Sequence, residues 1–344
     1  AHANGFKPKT MTTRLGEITF DVPQVREGGF YPSALEKGLR SERALNLALA
    51  EMYVQGVSTR KVSAIVEQLC GASVSSTQVS QAAAKLDETL EAWRSRPLGT
   101  SIYLYLDARY EKVREDGVIH SRAVMIAIGV NWEGRRCVLA VELANRESAS
   151  SWKEFLLGLK QRGLRGVVCV ISDDHAGLRK AIPEALPEAS WQRCYVHFLR
   201  NALDHLPRKK DDDCLTELRW IYERRNVEEA RRDLAAWLTK WDGRYAQLCN
   251  WAEANIEETL TFYRLPQQHH KHLKSTNMLE RINQELKRRT LVVRIFPNRE
   301  SCLRLIRALA VEIHEDWVEA IRYLDMEVLK EQLKQQRREM ASAA

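Results

Sequence analysis

Asp107 follows directly on a short apolar run, 102–106, and Asp173 follows a second, 167–171, after Ser172. Runs of that length, bounded by turn signals, read as strands. An acid that closes a strand faces the crevice in which ligands bind in open α/β sheets, although an Asp there also serves simply to cap the next turn. Two acids at matching ends of strands that the connectivity makes neighbours are harder to explain as turn caps. Paired carboxylates on rigid strands suit Mg²⁺ (or Mn²⁺), hard cations that prefer oxygen ligands. Two such ions about 4 Å apart stabilise both the attacking and the leaving oxygen of an in-line phosphoryl displacement. Such a site needs a third carboxylate from a helix on the sheet, and Glu280, one turn into a helical pattern opening at Asn277, is the candidate. Asp174 and Glu285 are rivals by proximity; Asp173 is preferred to Asp174 because it directly ends its strand.

Other chemistry-bearing groups point less sharply. Cys194-x-x-His197 has the look of half a zinc site, but no second pair stands at matching spacing, so zinc is not expected. His269, His270 and His272 read as a solvated loop. No serine or tyrosine is arranged as a nucleophile, so a covalent intermediate is not expected.

These acids must be held by a frame, and the pattern supplies one. Apolar runs 124–130 and 137–143 flank a turn at Trp132-Glu133-Gly134, giving with 102–106 an antiparallel meander. A helix capped by Ser150 or Ser151 follows, with Trp152, Phe155, Leu156 and Leu159 on one face and a stop at Gly163. Then come the strand 167–171, a helix over 178–186, a short strand at 191–194 and a helix from about Tyr195. The order β-β-β-α-β-α-β-α predicts an α/β fold with one mixed sheet covered by helices. Residues 201–261 are helical in pattern, and their aromatics (Trp220, Trp237, Trp241, Tyr245, Trp251) read as core rather than as a base-stacking surface. A helix over 277–290 and two amphipathic helices over 300–340 complete the chain, which ends in a charged tail.

Before the sheet, residues 1–35 read as a hairpin or arm broken at Gly16, Gly28 and Gly29. Ser41 caps a helix ending at Gly56, Ser58 caps a second, Cys70-Gly71-Ala72 turns, and Ser75 or Ser76 caps a third running toward Trp93. Helix, short glycine-containing turn, helix is the pattern of a helix-turn-helix, and also of a plain helical hairpin. Arg60, Lys61, Thr77 and Gln78 on it suit phosphates and base edges. Near Glu280, Arg281, Lys287, Arg288 and Arg289, continuing to Arg294, Arg299, Arg304 and Arg307, form a basic stripe opposed only by Glu285 and Glu300. It reads as a phosphate grip or as a solvated helix face.

Composition sets the bounds. The 344 residues are 44% hydrophobic and 29% charged, enough for a core and unlike a disordered chain. The net charge of +7 is compatible with nucleic acid but common among soluble proteins. No apolar run approaches the roughly 18 residues of a membrane span, and no secretory leader precedes the first strand. Seven scattered cysteines fit reduced thiols. A cytoplasmic, nucleoid-associated protein with no membrane partner is therefore expected. The chain opens Ala1-His2-Ala3 without a methionine, as a fragment or a trimmed chain would.

Five strings, AEMYVQGVSTRKV (50–62), LDA (106–108), ISDDHAGL (171–178), QRCYVHFLRN (192–201) and TNMLERIN (276–283), closely resemble the Mutator-type transposases of bacterial insertion sequences. The resemblance covers nearly the whole chain in one order. It implies an RNase H-like catalytic domain interrupted before its last helix by an all-helical insertion. The expected organisation is an arm (1–35), a helix-turn-helix DNA-binding region (36–96), the first part of the catalytic core (97–200), the insertion (201–270), the last part of the core with its glutamate helix (271–330) and a charged tail (331–344). By the same resemblance Asp107, Asp173 and Glu280 match the metal-binding acids, and Cys194 and His197 match a further motif beside them. The implied activity is strand cleavage and strand transfer with two Mg²⁺ or Mn²⁺ ions. The implied partners are double-stranded DNA, both element terminal inverted repeats and target, and at least a homodimer on that DNA. A catalytically inactive DNA-binding remnant, or an RNase H-like nuclease or resolvase, are the competing expectations.

Overall fold

The computed structural model describes residues 3–26, 31, 32, 35, 41–71, 73–207 and 212–343. The expected breaks at Gly28, Gly29 and Ala72 lie outside the described residues. Strands β1 (Ala3–Thr13) and β2 (Gly16–Val25) pair as an antiparallel hairpin. Helices α1 (Arg43–Val54), α2 (Thr59–Cys70) and α3 (Ser76–Ala84) pack around Leu45, Leu49, Val62, Val66 and Val79.

Two of the expected caps form. Ser58 accepts from the Lys61 N–H, and Ser75 and Gln78 make a reciprocal capping box. Ser41 is not the cap of α1. It bridges to Thr12 of the hairpin, and Glu42 takes the cap position without a side-chain cap bond. The third helix does not run through to Trp93: it stops at Ala84, and α4 (Asp87–Ser95) is a separate helix. Arg289 donates to the Val54 carbonyl at 3.4 Å, and Gly56, at φ +84°, lets α1 close where a Cβ would stand 3.2 Å from the Arg289 backbone. The three-helix unit is thereby seated on the helix that carries Glu280.

The sheet is mixed and five-stranded, in the order β5-β4-β3-β6-β7. Its strands are β3 (Tyr103–Glu115), β4 (Val118–Val130), β5 (Arg136–Ala144), β6 (Cys169–Ser172) and β7 (Ser190–Arg193). The β3–β4 and β4–β5 pairs are antiparallel, and β3–β6 and β6–β7 are parallel. Helix α5 (Ala149–Gln161) is capped by Ser148, whose hydroxyl accepts from the Ser151 N–H, and not by Ser150 or Ser151. With α6 (Ala176–Ala185) it covers the face bearing Leu104, Leu106, Met125 and Val170.

The opposite face bears Tyr103, Tyr105, Ile126, Ile128 and Ile171. It is covered by α7 (Tyr195–Ala202), α8 (Asp212–Trp220), α9 (Val227–Asn255), α10 (His270–Leu273), α11 (Asn277–Thr290), α12 (Arg299–Glu319) and, at its edge, α13 (Glu327–Ala343). The aromatics of α9 are core, as their spacing predicts: Trp237 and Trp241 are buried, with indole N–H groups donating to the Cys214 carbonyl and to Glu217, whereas Trp220, expected to join them, ends α8 at 52% exposure.

β3 outruns its apolar stretch. Asp107 stands in mid-strand, because β4 continues the hydrogen-bond ladder as far as Glu115↔Val118 along residues too polar to be read as strand. β7 docks the helical segment through Gln192, fully buried, whose amide donates to the Thr259 carbonyl at 2.8 Å and accepts from the Phe262 N–H at 2.7 Å. Gln192→Leu strands both backbone groups, each at a cost of about 1–3 kcal/mol. A loss of about 3 kcal/mol in urea unfolding is expected, and a loss below about 0.5 kcal/mol would show that this contact does not hold the segment.

Candidate active site

Register brings the two aspartates together. The parallel ladder pairs Tyr103↔Cys169, Leu104↔Val170 and Tyr105↔Ile171. Two residues beyond the last pair stand Asp107, still in β3 and by the strand period on the face of Tyr105, and Asp173, one residue past the end of β6, whose charge acts on Asp107. Burial pushes the Asp107 carboxyl up to about 6, and the neighbouring Asp173 charge adds to this. The Ala108 N–H, His197 and Asn283 oppose the rise. The Ala108 N–H donates to Oδ1 at 2.9 Å, and Asn283 Nδ2 donates to Oδ2 at 2.6 Å. At this pair, Asp173 Oδ1 and Asn283 Oδ1 are buried without a hydrogen-bond partner. Unsatisfied buried polar atoms are uncommon in folded proteins, and two on the residues of one carboxylate site mark a place suited to a ligand.

The rival acids are engaged elsewhere. Asp174 pairs with Arg193, 1% exposed, at 3.0 Å and with Arg179 at 3.1 Å. Glu285 pairs with Arg288 at 2.7 Å and Arg289 at 2.6 Å, which hold its carboxyl down at about 2. Glu280 lies in the first turn of α11, half-buried, 3.8 Å from Arg200 of α7. Among the described residues no three His, Cys, Asp or Glu side chains are already gathered to hold a metal. Two aspartates with an unsatisfied buried oxygen nevertheless fit Mg²⁺, which is commonly held by one or two carboxylates together with substrate phosphates and water.

Cys194 and His197 sit beside the pair. Thr276, at the entry to α11, turns both its N–H and its hydroxyl toward the buried Cys194 sulfur, each at 3.4 Å. Burial pushes this thiol up, but hydrogen bonding and charge from His197, with help from Thr276, bring it below its ordinary value. His197 is raised by its bond to Cys194, against burial, and further by Asp173 and Asp107. The Cys-x-x-His string thus ties the start of α11 to the end of β7 and turns an imidazole toward the carboxylates.

The other expectations meet mixed fates. His269, His270 and His272 do not form a solvated loop. His269 is 1% exposed, held between the Tyr103 hydroxyl and the Asp325 carbonyl at 2.7 Å each, and burial lowers all three imidazoles. The segment coils into short turns pressed onto the sheet, which its polar composition conceals. Arg60, Lys61, Thr77 and Gln78 are exposed on α2 and α3, and Arg281 and Lys287 on α11. Arg289 is withdrawn from the expected phosphate stripe: it is 7% exposed and chelates Glu312 at 2.8 and 2.9 Å. Arg288 remains at the surface, on Glu285. Arg299, Arg304 and Arg307 are likewise occupied, by Glu115, Asp87 and Glu142.

Three groups beside the three candidate acids escape a reading by acid spacing. Asn283 is one; its signal was its position three residues after Glu280, on the same helix face. Arg200 and Glu147 have no such signal. Burial raises Glu147, and His175, 3.6 Å away, opposes this while the Asp173 charge adds to it.

The chain matches the family model described as "Transposase, Mutator family" over residues 1–320. It is 62% identical to the transposase for insertion sequence element ISRM5 of Rhizobium meliloti (strain 1021), over 97% of this chain and 84% of that protein. It is 52% identical to the transposase for IS406 of Burkholderia multivorans (strain ATCC 17616 / 249), over 94% and 84%. With the transposase for IS256 in transposon Tn4001 of Staphylococcus aureus it shares 39% identity, over 92% and 82%.

The raised Asp107 carboxyl has a consequence for stability. Its folded value of about 6 lies above the 3.8 of the free group, so the native state keeps a proton that the unfolded chain releases. Stability is therefore lost as pH rises through that window and stays lost above it, by about 3 kcal/mol. In metal-free protein, Asp107→Asn is expected to unfold at higher urea than the parent at pH 8 and at equal urea at pH 4. No difference at pH 8 would contradict a strained carboxylate pair.

Proposed function

The chain belongs to the Mutator family of transposases, and on that ground we propose that it cuts DNA and joins the cut ends elsewhere at the site of Asp107, Asp173 and Glu280. The observation that carries this reading is the Asp107–Asp173 pair, set side by side by strand register, with a buried carboxylate oxygen left unsatisfied. The frame supports it: a mixed sheet with two parallel strands beyond a three-stranded meander suits an RNase H-like core, with α8, α9 and the short turns after them as its helical insertion. Residues 36–96 serve as the DNA-binding region and residues 1–35 as an arm. No helix among the described residues is long and apolar enough to cross a membrane.

Asp107 and Asp173 would hold Mg²⁺ or Mn²⁺, and Glu280 would complete the set. When bound, two such ions activate the attacking oxygen and stabilise the leaving 3′ oxygen of an in-line displacement. The attacking group is first water and later a DNA 3′-hydroxyl. Asn283 and the Ala108 N–H orient Asp107, while His197 offsets the charge of both aspartates. Arg200, 62% exposed, holds Glu280 at the rim and is placed to exchange it for a DNA phosphate. Lys271, exposed, lines a cavity of about 510 Å³ with Tyr195, Tyr222 and Asn277, in which Lys274 is paired with Glu223; Lys271 and the tyrosines are the groups there that suit a DNA strand. The partners are the element's terminal inverted repeats and target DNA, bound by at least two copies of the chain.

A second reading is a DNA-binding remnant without catalysis, favoured by the lack of a preformed three-acid cluster among the described residues. Strand cleavage and transfer on labelled DNA bearing the element's own end separates the two. Asp107→Asn, Asp173→Asn and Glu280→Gln are each expected to lower cleavage by about a thousandfold or more, as removal of preorganised charge from a reacting centre does, with DNA affinity nearly unchanged. Metal-independent cleavage, or cleavage retained in Asp173→Asn, would move the site. Binding without cleavage in the parent protein would favour the remnant.

The helix-turn-helix is tested separately. Arg60→Ala and Lys61→Ala are each expected to weaken binding across DNA sequences and to reduce the salt slope by about one. An unchanged slope would place the phosphate contacts elsewhere.

A further inference from the structure

Asp107 is held at both oxygens, and one of the two holders is a side chain whose only gain in reaching it is the contact itself. Asn283 lies three residues after Glu280 on α11, and its Nδ2 donates to Asp107 Oδ2 at 2.6 Å. The backbone carbonyl of the same residue accepts from Arg109 Nη1 at 2.7 Å, and Arg109 pairs with Glu111 at 2.6 Å. Two helical turns on, the Thr290 hydroxyl donates to Glu111 at 3.2 Å. Asp107, Arg109 and Glu111 are alternate residues of β3 and share one face. Asn283 and Thr290 are two turns apart and share one face of α11. Strand and helix are therefore in fixed register, and the register point nearest the acids is the Asn283 carboxamide.

The amide also leaves its Oδ1 buried without a partner, and Asp173, whose charge acts on the same Asp107, leaves its own Oδ1 in that condition. A carboxamide that served only to pack α11 on β3 would not need to present a donor to a carboxylate already strained by a second one. Removing that donor leaves Oδ2 free to rotate away from Asp173, the move that like charges favour.

We propose that Asn283 is a positioning residue of the divalent-cation site: its carboxamide fixes the Asp107 carboxylate in the orientation that ligates, and so sets the affinity for the metal. The proposal rests on the metal-dependent reading above. Hydrogen-bond partners of ligating groups typically control metal affinity by 10–100-fold, and Asn283 is such a partner for Asp107.

The test is titration of the full chain with Mn²⁺ alone, following free Mn²⁺ by electron paramagnetic resonance, beside melting curves and DNA affinity. Asn283→Leu keeps the size and deletes the donor; Asn283→Ala reads the same quantity if the leucine variant does not fold. Either is expected to weaken Mn²⁺ binding by about 10–100-fold with melting and DNA affinity close to the parent. Thr290→Val, which loosens the same helix away from the acids, is expected to bind Mn²⁺ as the parent does. Parent-like Mn²⁺ affinity in the Asn283 variants, with binding abolished in Asp173→Asn, overturns the proposal and leaves the metal reading standing. An equal loss in Thr290→Val also overturns it, since general loosening of α11 would then suffice. If the parent binds no Mn²⁺, or Asp173→Asn binds it as well as the parent, the metal reading falls and this proposal with it.

Discussion

Two carboxylates on adjacent parallel strands repel each other, and more strongly where water is excluded. The β3–β6 register leads Asp107, in β3, and Asp173, one residue past the end of β6, into that arrangement. Relief comes partly from β3 itself and partly from the helices on that face. The Ala108 N–H and the Asn283 amide each take one oxygen of Asp107, and His197 lends charge to both aspartates. These partners explain why α7 and α11 lie where they do. Cys194 begins α7 and also anchors Thr276 at the entry to α11, so one buried sulfur sets the height of both helices against the strand ends. Glu280 is carried by the same helix, one turn before Asn283.

The arginines divide between building this frame and meeting a partner. Those on α12 tie it to α4 and to β5 through Asp87 and Glu142, and Arg289 locks α11 to α12 through Glu312. Of the basic residues expected to meet DNA, Arg60 and Lys61 on α2, Arg281, Lys287 and Arg288 on α11, and Arg294 after it stay outward. A net charge of +7 thus overstates the basic surface offered to DNA in some places and conceals it in others. The cavity edged by Lys271 and Lys274 belongs to a segment whose charge pattern alone had no special claim.

The strand order of the sheet, the turn between β4 and β5 and the α9 core were legible because apolar periodicity reports burial directly. The caps at Ser58 and Ser75 were legible for the same kind of reason, a short-range bond written in neighbouring residues. Long-range polar partners were not. Arg289 and Glu312, Gln192 and Thr259, and Asp107 and Asn283 are far apart in the chain, and no local rule pairs them. For that reason a histidine run read as loop turned out buried under Asp325 and Tyr103, and a strand expected to end at Asp107 continued to Glu115 on the support of its antiparallel neighbour. Asp107 and Asp173 were found because acids that end apolar runs stand out. Asn283, with no charge and an ordinary helical context, did not.

The central claim is that the strained aspartate pair exists to bind a divalent cation. Crystals of the protein with an element-end DNA, soaked in Mn²⁺ and measured at the manganese absorption edge, test it most directly. An anomalous peak within coordination distance of the Asp107 and Asp173 carboxylates is expected, with Asn283 still bonded to Asp107. A fully occupied Mn²⁺ elsewhere, with the two aspartates bare in the presence of DNA, would contradict it.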